Sequence, residues 1–123
     1  MDLEFSTLVG KTLAKVENMD NEELWFTTAD GEQFRLYHRQ SCCESVGIES
    51  IVGDIEDLVG DPILVAEESQ GETPADHKFD YAPESYTWTF YKLATRKGYV
   101  DVRWLGTSNG YYSESVTFEK VTQ

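Results

Sequence analysis

Two groups of residues in this chain are of the types and spacings that could do chemistry. The first is Cys42-Cys43, with His38 four positions before the pair and Glu44 directly after it. Thiols beside an imidazole and a carboxylate can ligate zinc or act as nucleophiles. Adjacent cysteines suit zinc poorly, because its sites separate their cysteines by about two to four residues. The only other histidine, His77, lies far along the chain. A strained vicinal disulfide or a reactive thiol is an alternative; the expectation is two partly buried, inert thiols at a strand end. The second group comprises Trp88, Phe90, Lys92, Arg103, Asn109, Tyr111 and Ser113. Aromatic rings can stack on a planar base, a guanidinium can fork onto phosphate, and amide and hydroxyl groups can hydrogen-bond.

Other constellations are weaker. Asp54, Glu56, Asp57 and Asp61 lack the Asp-x-Asp-x-Asp-Gly pattern of a calcium loop and read as the acidic N-terminus of a helix. Gly53 and Gly60 are not followed by Gly-Lys-Ser/Thr, so no phosphate loop is present. There is no Ser/His/Asp signature, and nothing pairs His38 with a nucleophile. The expectation is no catalytic residue, no metal and no cofactor.

The elements that must position these residues are mostly strands. Residues 3–9 suggest a helical turn with Phe5, Leu8 and Val9 on its apolar side. Thr12–Glu17, Leu24–Thr28 and Gln33–Tyr37 read as a β-meander, with Asp30-Gly31 supplying the positive φ angles of a tight turn. Val46–Val52 reads as a strand. Asp54–Val59 reads as a short helix capped by Asp54 and stopped by Gly60. Ile63–Ala66 reads as a buried strand and Glu67–Glu84, with Pro74 and Pro83, as a long surface loop. Ser85–Thr95 and Tyr99–Leu105, joined through Arg96–Gly98, carry the strongest hairpin signal. A second turn at Gly106–Gly110 leads to a last strand, Ser113–Lys120. The fold class expected is α+β: a single domain, mostly antiparallel sheet, with one or two short helices. It divides into a meander over residues 1–40, an acidic middle segment over 41–84, and a hairpin region over 85–123.

Strand parity sorts the hairpin region into two faces. Tyr91, Leu93, Val100, Val102 and Trp104 share one side, joined by Tyr112, Val116 and Phe118 if Leu105 pairs with Tyr111. This is the expected core face. The other side collects Trp88, Phe90, Lys92, Asp101, Arg103, Leu105, Tyr111, Ser113 and Ser115. Register decides whether Lys92 stands opposite Asp101, an ordinary ion pair, or opposite Arg103, which would need an anion between them. This mixed face could be a ligand platform, or a second apolar layer covered by the middle segment with its carboxylates on the two cations.

Size and charge narrow the classes. The chain has 123 residues, 13% of them aromatic, enough for one folded core. Its net charge of −13 is concentrated in residues 41–84, which hold 12 acidic side chains against one basic, whereas residues 85–123 hold 3 against 5. Such a charge repels phosphate backbones, so no nucleic-acid partner is expected, and no apolar run is long enough to span a bilayer. Met-Asp-Leu-Glu-Phe-Ser lacks the features of a signal peptide, which gives an expectation of cytoplasmic location and reduced thiols.

Tyr37-His38, Ser41-Cys42-Cys43-Glu44-Ser45-Val46, Gly53-Asp54-Ile55-Glu56-Asp57-Leu58, Ser85-Tyr86-Thr87-Trp88-Thr89-Phe90-Tyr91-Lys92 and Ser108-Asn109-Gly110-Tyr111-Tyr112-Ser113 carry a resemblance over nearly the whole chain. The sequence resembles an uncharacterised family of small acidic proteins encoded by bacteriophages, which has no assigned catalytic residues to transfer. The resemblance implies action on host defences. The expected function is sequestration, without catalysis, of a small nucleotide-derived signal such as TIR or cyclase-type immune enzymes make. A homo-oligomer is compatible with that role. Trp88, Phe90 and Tyr111 would wall the ligand, Lys92 and Arg103 would neutralise phosphate, and Asn109 and Ser113 would hydrogen-bond. The alternative is an acidic interaction protein, or nucleic-acid mimic, that inhibits a basic host factor. A third possibility is an enzyme acting on such nucleotides with His38 or His77 as acid/base.

Overall fold

A computed structural model describes residues 3–121. Eight strands form two four-stranded antiparallel sheets: β1 (Leu13–Met19), β2 (Glu23–Thr28), β3 (Gln33–Tyr37), β4 (Ser45–Val52), β5 (Val65–Gly71), β6 (Ser85–Thr95), β7 (Gly98–Ser108) and β8 (Thr117–Val121). The first sheet has the order β1-β2-β3-β8 and the second β4-β7-β6-β5. Two single 3-10 turns, Phe5–Leu8 and Ile55–Leu58, are the only helical elements among the described residues. The chain is therefore mostly antiparallel β-sheet in one compact unit.

The meander folds as its turn chemistry dictates. Asp20 and Asn21, residue types that tolerate positive φ, take φ of 55° and 59° between β1 and β2; between β2 and β3 Gly31 takes 94°, whereas Asp30, expected to share the positive φ, does not. One detail escapes simple alternation. A register shift between Leu13 and Lys15 lets both Leu13 and Val16 point inward, although they are three residues apart.

The core lies between the sheets. Leu24, Phe26, Phe34, Leu36 and Phe118 from the first sheet meet Tyr91, Leu93, Val100, Val102 and Trp104 from the second. Phe5 closes one end, its ring edge-on to Tyr91 at 4.8 Å and to Phe118 at 5.3 Å. Edge-to-face pairs of this kind add roughly 0.5–1.5 kcal/mol each beyond area burial. The expected core face is thus observed, except for Tyr112, which is half-buried outside the core cluster. Val9, expected on the apolar side of the first turn, is exposed, while Phe5 and Leu8 are buried.

Four expectations are corrected. Residues Glu67–Gly71 belong to β5 and not to a loop: they pair with Trp88–Lys92 through the backbone at the sheet edge, where exposed polar side chains carry no alternation to read. The Asp54–Val59 helix is one 3-10 turn, although Asp54 does cap it, accepting from the Glu56 amide at 2.9 Å. Strand β7 runs on through Ser108, pairing with both β6 and β4, so Leu105 faces Trp88 and Gly47 and not Tyr111. The last strand begins at Thr117 and pairs with β3 in the other sheet.

The segment between β7 and β8, which crosses between sheets, is anchored to the second sheet at Glu114. The buried Glu114 carboxylate accepts from Thr87 Oγ1 at 2.8 Å and from Ser108 Oγ at 2.5 Å. Burial works to raise its pKa, and the hydroxyls of Ser108, Thr87 and Ser85 outweigh burial, so it lies below the ordinary carboxylate value. Gly106 makes the crossing possible: a Cβ there would lie 2.7 Å from the Glu114 carbonyl oxygen.

Candidate functional site: the outer face of the second sheet

The face of the second sheet turned away from the core is built in three cross-strand rows. Glu67, Lys92, Asp101 and Val52 form one row; Ser69, Phe90, Arg103 and Ser50 the next; Gly71, Trp88, Leu105 and Gly47 the third. Lys92 therefore stands between two carboxylates, Glu67 and Asp101, which resolves the register in favour of opposite charges. The sequence reading placed Trp88, Phe90, Lys92 and Arg103 together, and they are together.

Half of this face is covered. The connection between β5 and β6, residues 72–84, crosses the third row as a strap. Trp88 donates its Nε1–H to Thr73 Oγ1 at 3.0 Å, and the His77 ring meets it edge-on at 4.8 Å. Phe79 packs against Tyr86 at 5.3 Å and against Trp88 at 6.3 Å. Trp88 is only 1% exposed, so its ring is a packing element under the strap and not an open platform.

Arg103 is likewise engaged. Its Nε donates to Glu49 Oε1 at 3.0 Å and to Ser50 Oγ at 2.9 Å, and its Nη1 donates to Asp76 Oδ1 on the strap at 3.0 Å. Both Glu49 and Ser50 reach it because β4 shifts register between Ile48 and Ser50, leaving Glu49 as an extra residue on the same side. Burial would raise the Glu49 pKa, but His77, Arg103 and Ser50 together hold it below the ordinary value. Asp76 is held down chiefly by its hydrogen bond from Arg103. The alternative reading, in which the middle segment's carboxylates cover the cations, thus describes Arg103. No sequence signal announced Glu49, Asp76 or His77 as its neighbours, since a bulge and a long connection leave no periodic trace.

The other half is open. A groove of about 610 Å³ is lined by Phe90, Lys92, Arg103, Asp101, Glu67 and Ser69, together with Val52 and Glu68. Phe90 lies parallel to Trp88, ring centroids 6.4 Å apart, and Gly71 leaves room for its edge. Lys92 is exposed in this groove. A small planar molecule with both anionic and hydroxyl groups would find an aromatic surface, two cations and two carboxylates here.

The remaining expected ligand residues lie elsewhere. Asn109 lines a second depression of about 360 Å³ with Cys43, Ser45, Tyr81 and Thr107. Tyr111, 90% exposed, and Ser113 lie on the segment between β7 and β8 and line neither depression. Their place on the mixed face requires Leu105 to pair with Tyr111, and Leu105 pairs with Trp88 and Gly47 instead.

The cysteine motif also differs from expectation. Cys42 and Cys43 are exposed and joined by a disulfide, not buried as inert thiols. Behind them the Glu44 carboxylate is buried, accepting from the Ser41 and Cys42 amides at 2.9 Å each and meeting His38 Nε2 at 2.7 Å. Those hydrogen bonds, the Cys42 amide's first, lower its pKa to about 2. His38 is held on its other side by the Ser115 carbonyl at 2.7 Å, so both ring nitrogens are engaged in bracing the turn. Among the described residues no three His, Cys, Asp or Glu side chains converge to hold a metal ion, and no helix is long and apolar enough to cross a membrane.

Residues 6–118 match the profile of a family described as a domain of unknown function, DUF7448. The chain belongs to that family. Neither the curated proteins nor the solved structures compared with it give a match. The DUF7448 match takes in β1 to β7, the strap and the cysteine turn, and ends at Phe118 within β8.

Proposed function

We propose that this DUF7448 protein is a non-enzymatic binding protein that sequesters a small nucleotide-derived signal. In this reading it is phage-encoded, acts in the host cytoplasm, and captures molecules of the kind made by TIR or cyclase-type immune enzymes. One observation carries it: a nucleotide-sized groove in which Phe90, Lys92 and Arg103 line one surface beside Glu67 and Asp101. Phe90 would stack on the base, Lys92 would meet phosphate, and the two carboxylates would accept from ribose hydroxyls. Arg103 would join by exchanging its exposed partner Asp76 for ligand phosphate while keeping Glu49. The proposed site is narrower than the set expected from sequence: Trp88 supports it from beneath the strap, and Asn109, Tyr111 and Ser113 stand outside it.

The test is mass spectrometry of small molecules released on denaturing protein that was incubated with extracts of cells carrying active TIR or cyclase-type enzymes. A nucleotide is expected from the native protein and not from a folded Lys92→Glu variant. Release of no nucleotide from any such extract would overturn the proposal.

A second reading is favoured by the edge strand β5. It pairs only with β6, and Glu67 and Glu68 are exposed beside its open side. An extended basic segment of a host protein could add to that edge, its cations meeting these carboxylates. Reversing the charge of Glu67, Glu68 and Glu72 together would abolish capture of such a partner, and unchanged capture would eliminate this reading.

A further inference from the structure

The exposed disulfide between Cys42 and Cys43 is not accounted for by binding in the groove. Most structural disulfides stabilise a fold by closing a loop of chain, which lowers the entropy of the unfolded state. This one joins neighbours whose Cα atoms are 3.7 Å apart, so it closes no loop. Nor does the turn need it. Gln40 Nε2 donates to the Glu44 carbonyl at 2.7 Å, and the Ser41 and Cys42 amides and His38 all converge on the buried Glu44 carboxylate. None of these bonds involves sulfur. The turn is held from behind, and both cysteines lie on its outer side, exposed. Cys43 also lines the depression of about 360 Å³ formed with Ser45, Tyr81, Thr107 and Asn109, which gives a small molecule room beside this exposed residue. An exposed disulfide that clamps no chain has the features of exchange chemistry, the usual role of a disulfide in a reducing compartment.

We propose that Cys42–Cys43 is a thiol–disulfide exchange site for a low-molecular-weight thiol of the glutathione class. The thiolate of the small molecule attacks Cys43 Sγ from the depression; the S–S bond breaks and the electron pair leaves on Cys42, whose thiolate takes a proton from water. A second small thiol then attacks the small-molecule sulfur of the mixed disulfide and releases Cys43 as a thiol. In sum, one protein disulfide and two small thiols give two protein thiols and one small-molecule disulfide. The protein is reduced and the small thiols are oxidised.

The test uses the full chain in buffers of varied reduced and oxidised glutathione, read by intact mass after alkylation. The folded protein is expected to move reversibly between a state that takes no label and one that takes two, with unchanged far-UV circular dichroism. Full labelling in excess oxidised glutathione, or loss of the circular-dichroism signal on reduction, would overturn the proposal. The direction of attack is read separately. Oxidised glutathione should form its adduct on Cys43 in Cys42→Ser about tenfold faster than on Cys42 in Cys43→Ser. Equal rates would refute the assignment to Cys43. None of these outcomes depends on whether the groove binds a nucleotide.

Discussion

Glu44 shows how one residue can govern a stretch of chain. Its carboxylate accepts two backbone amides and faces His38, and its pKa falls from the ordinary 4.5 to about 2. A pKa lowered by folding means that the unfolded chain binds a proton more readily than the native one. The stability that Glu44 contributes is therefore complete above pH 4.5 and is lost as pH falls through 4.5 toward 2. Acid titration of thermal stability should show this loss in the native protein. In Glu44→Gln the component should vanish, with a lower melting temperature at neutral pH; an unchanged acid profile would show that Glu44 is not the anchor. Lys92 and Arg103 are opposites at this scale. Arg103→Ala leaves Glu49 half-buried beside fewer partners and should cost about 1–3 kcal/mol, whereas the exposed Lys92 should be replaceable at nearly no cost to stability. Chemical denaturation of both variants separates these outcomes and identifies Lys92 as the cleaner probe of binding.

At the scale of elements, the two long strands β6 and β7 carry the molecule. Each contributes residues to the inner core and to the outer groove, and β4 and β5 extend the sheet on either side. The end of β4 is a tight junction. Gly53 has φ of 103°, and a Cβ there would fall 2.5 Å from the Tyr99 carbonyl oxygen. Gly53→Ala should therefore lose roughly 2–4 kcal/mol through backbone strain and the clash together. Equilibrium unfolding measures this, and a neutral result would contradict the close approach of β4 to β7. The strap is the element that decides what the outer face can do. By covering Trp88 and meeting Arg103 through Asp76, it converts a uniform mixed face into a packed half and an open half.

For the whole molecule, the net charge of −13 sets a physical constraint. Ion pairs such as Arg35–Glu119 and Lys11–Glu32 use basic side chains locally, but far more carboxylates than cations remain. Their mutual repulsion opposes compaction and is screened by salt, since the Debye length falls from about 30 Å at 0.01 M to about 3 Å at 1 M. Melting temperature should rise with sodium chloride over that range. A fall would mean that the specific ion pairs outweigh the general repulsion.

Much of this architecture was legible in the sequence. The alternation of Tyr91, Leu93, Val100, Val102 and Trp104 identified the core face, Asp30-Gly31 and Asp54 marked a turn and a cap, and the same parity grouped Phe90, Lys92 and Arg103. These are local properties: side chains on one strand must alternate, and turn residues obey their own φ and ψ preferences. What tertiary structure alone decided was which elements meet. Strand β5 joined the edge through its backbone despite polar side chains, β8 crossed to the other sheet around Gly106 and Glu114, and a bulge brought Glu49 beside Arg103. The strap buried Trp88, and the Glu44 anchor left the cysteines outside. Apart from the Glu44 anchor, whose partners lie within six residues, these outcomes depend on contacts between residues apart in sequence, and periodicity along one strand carries no information about its partner.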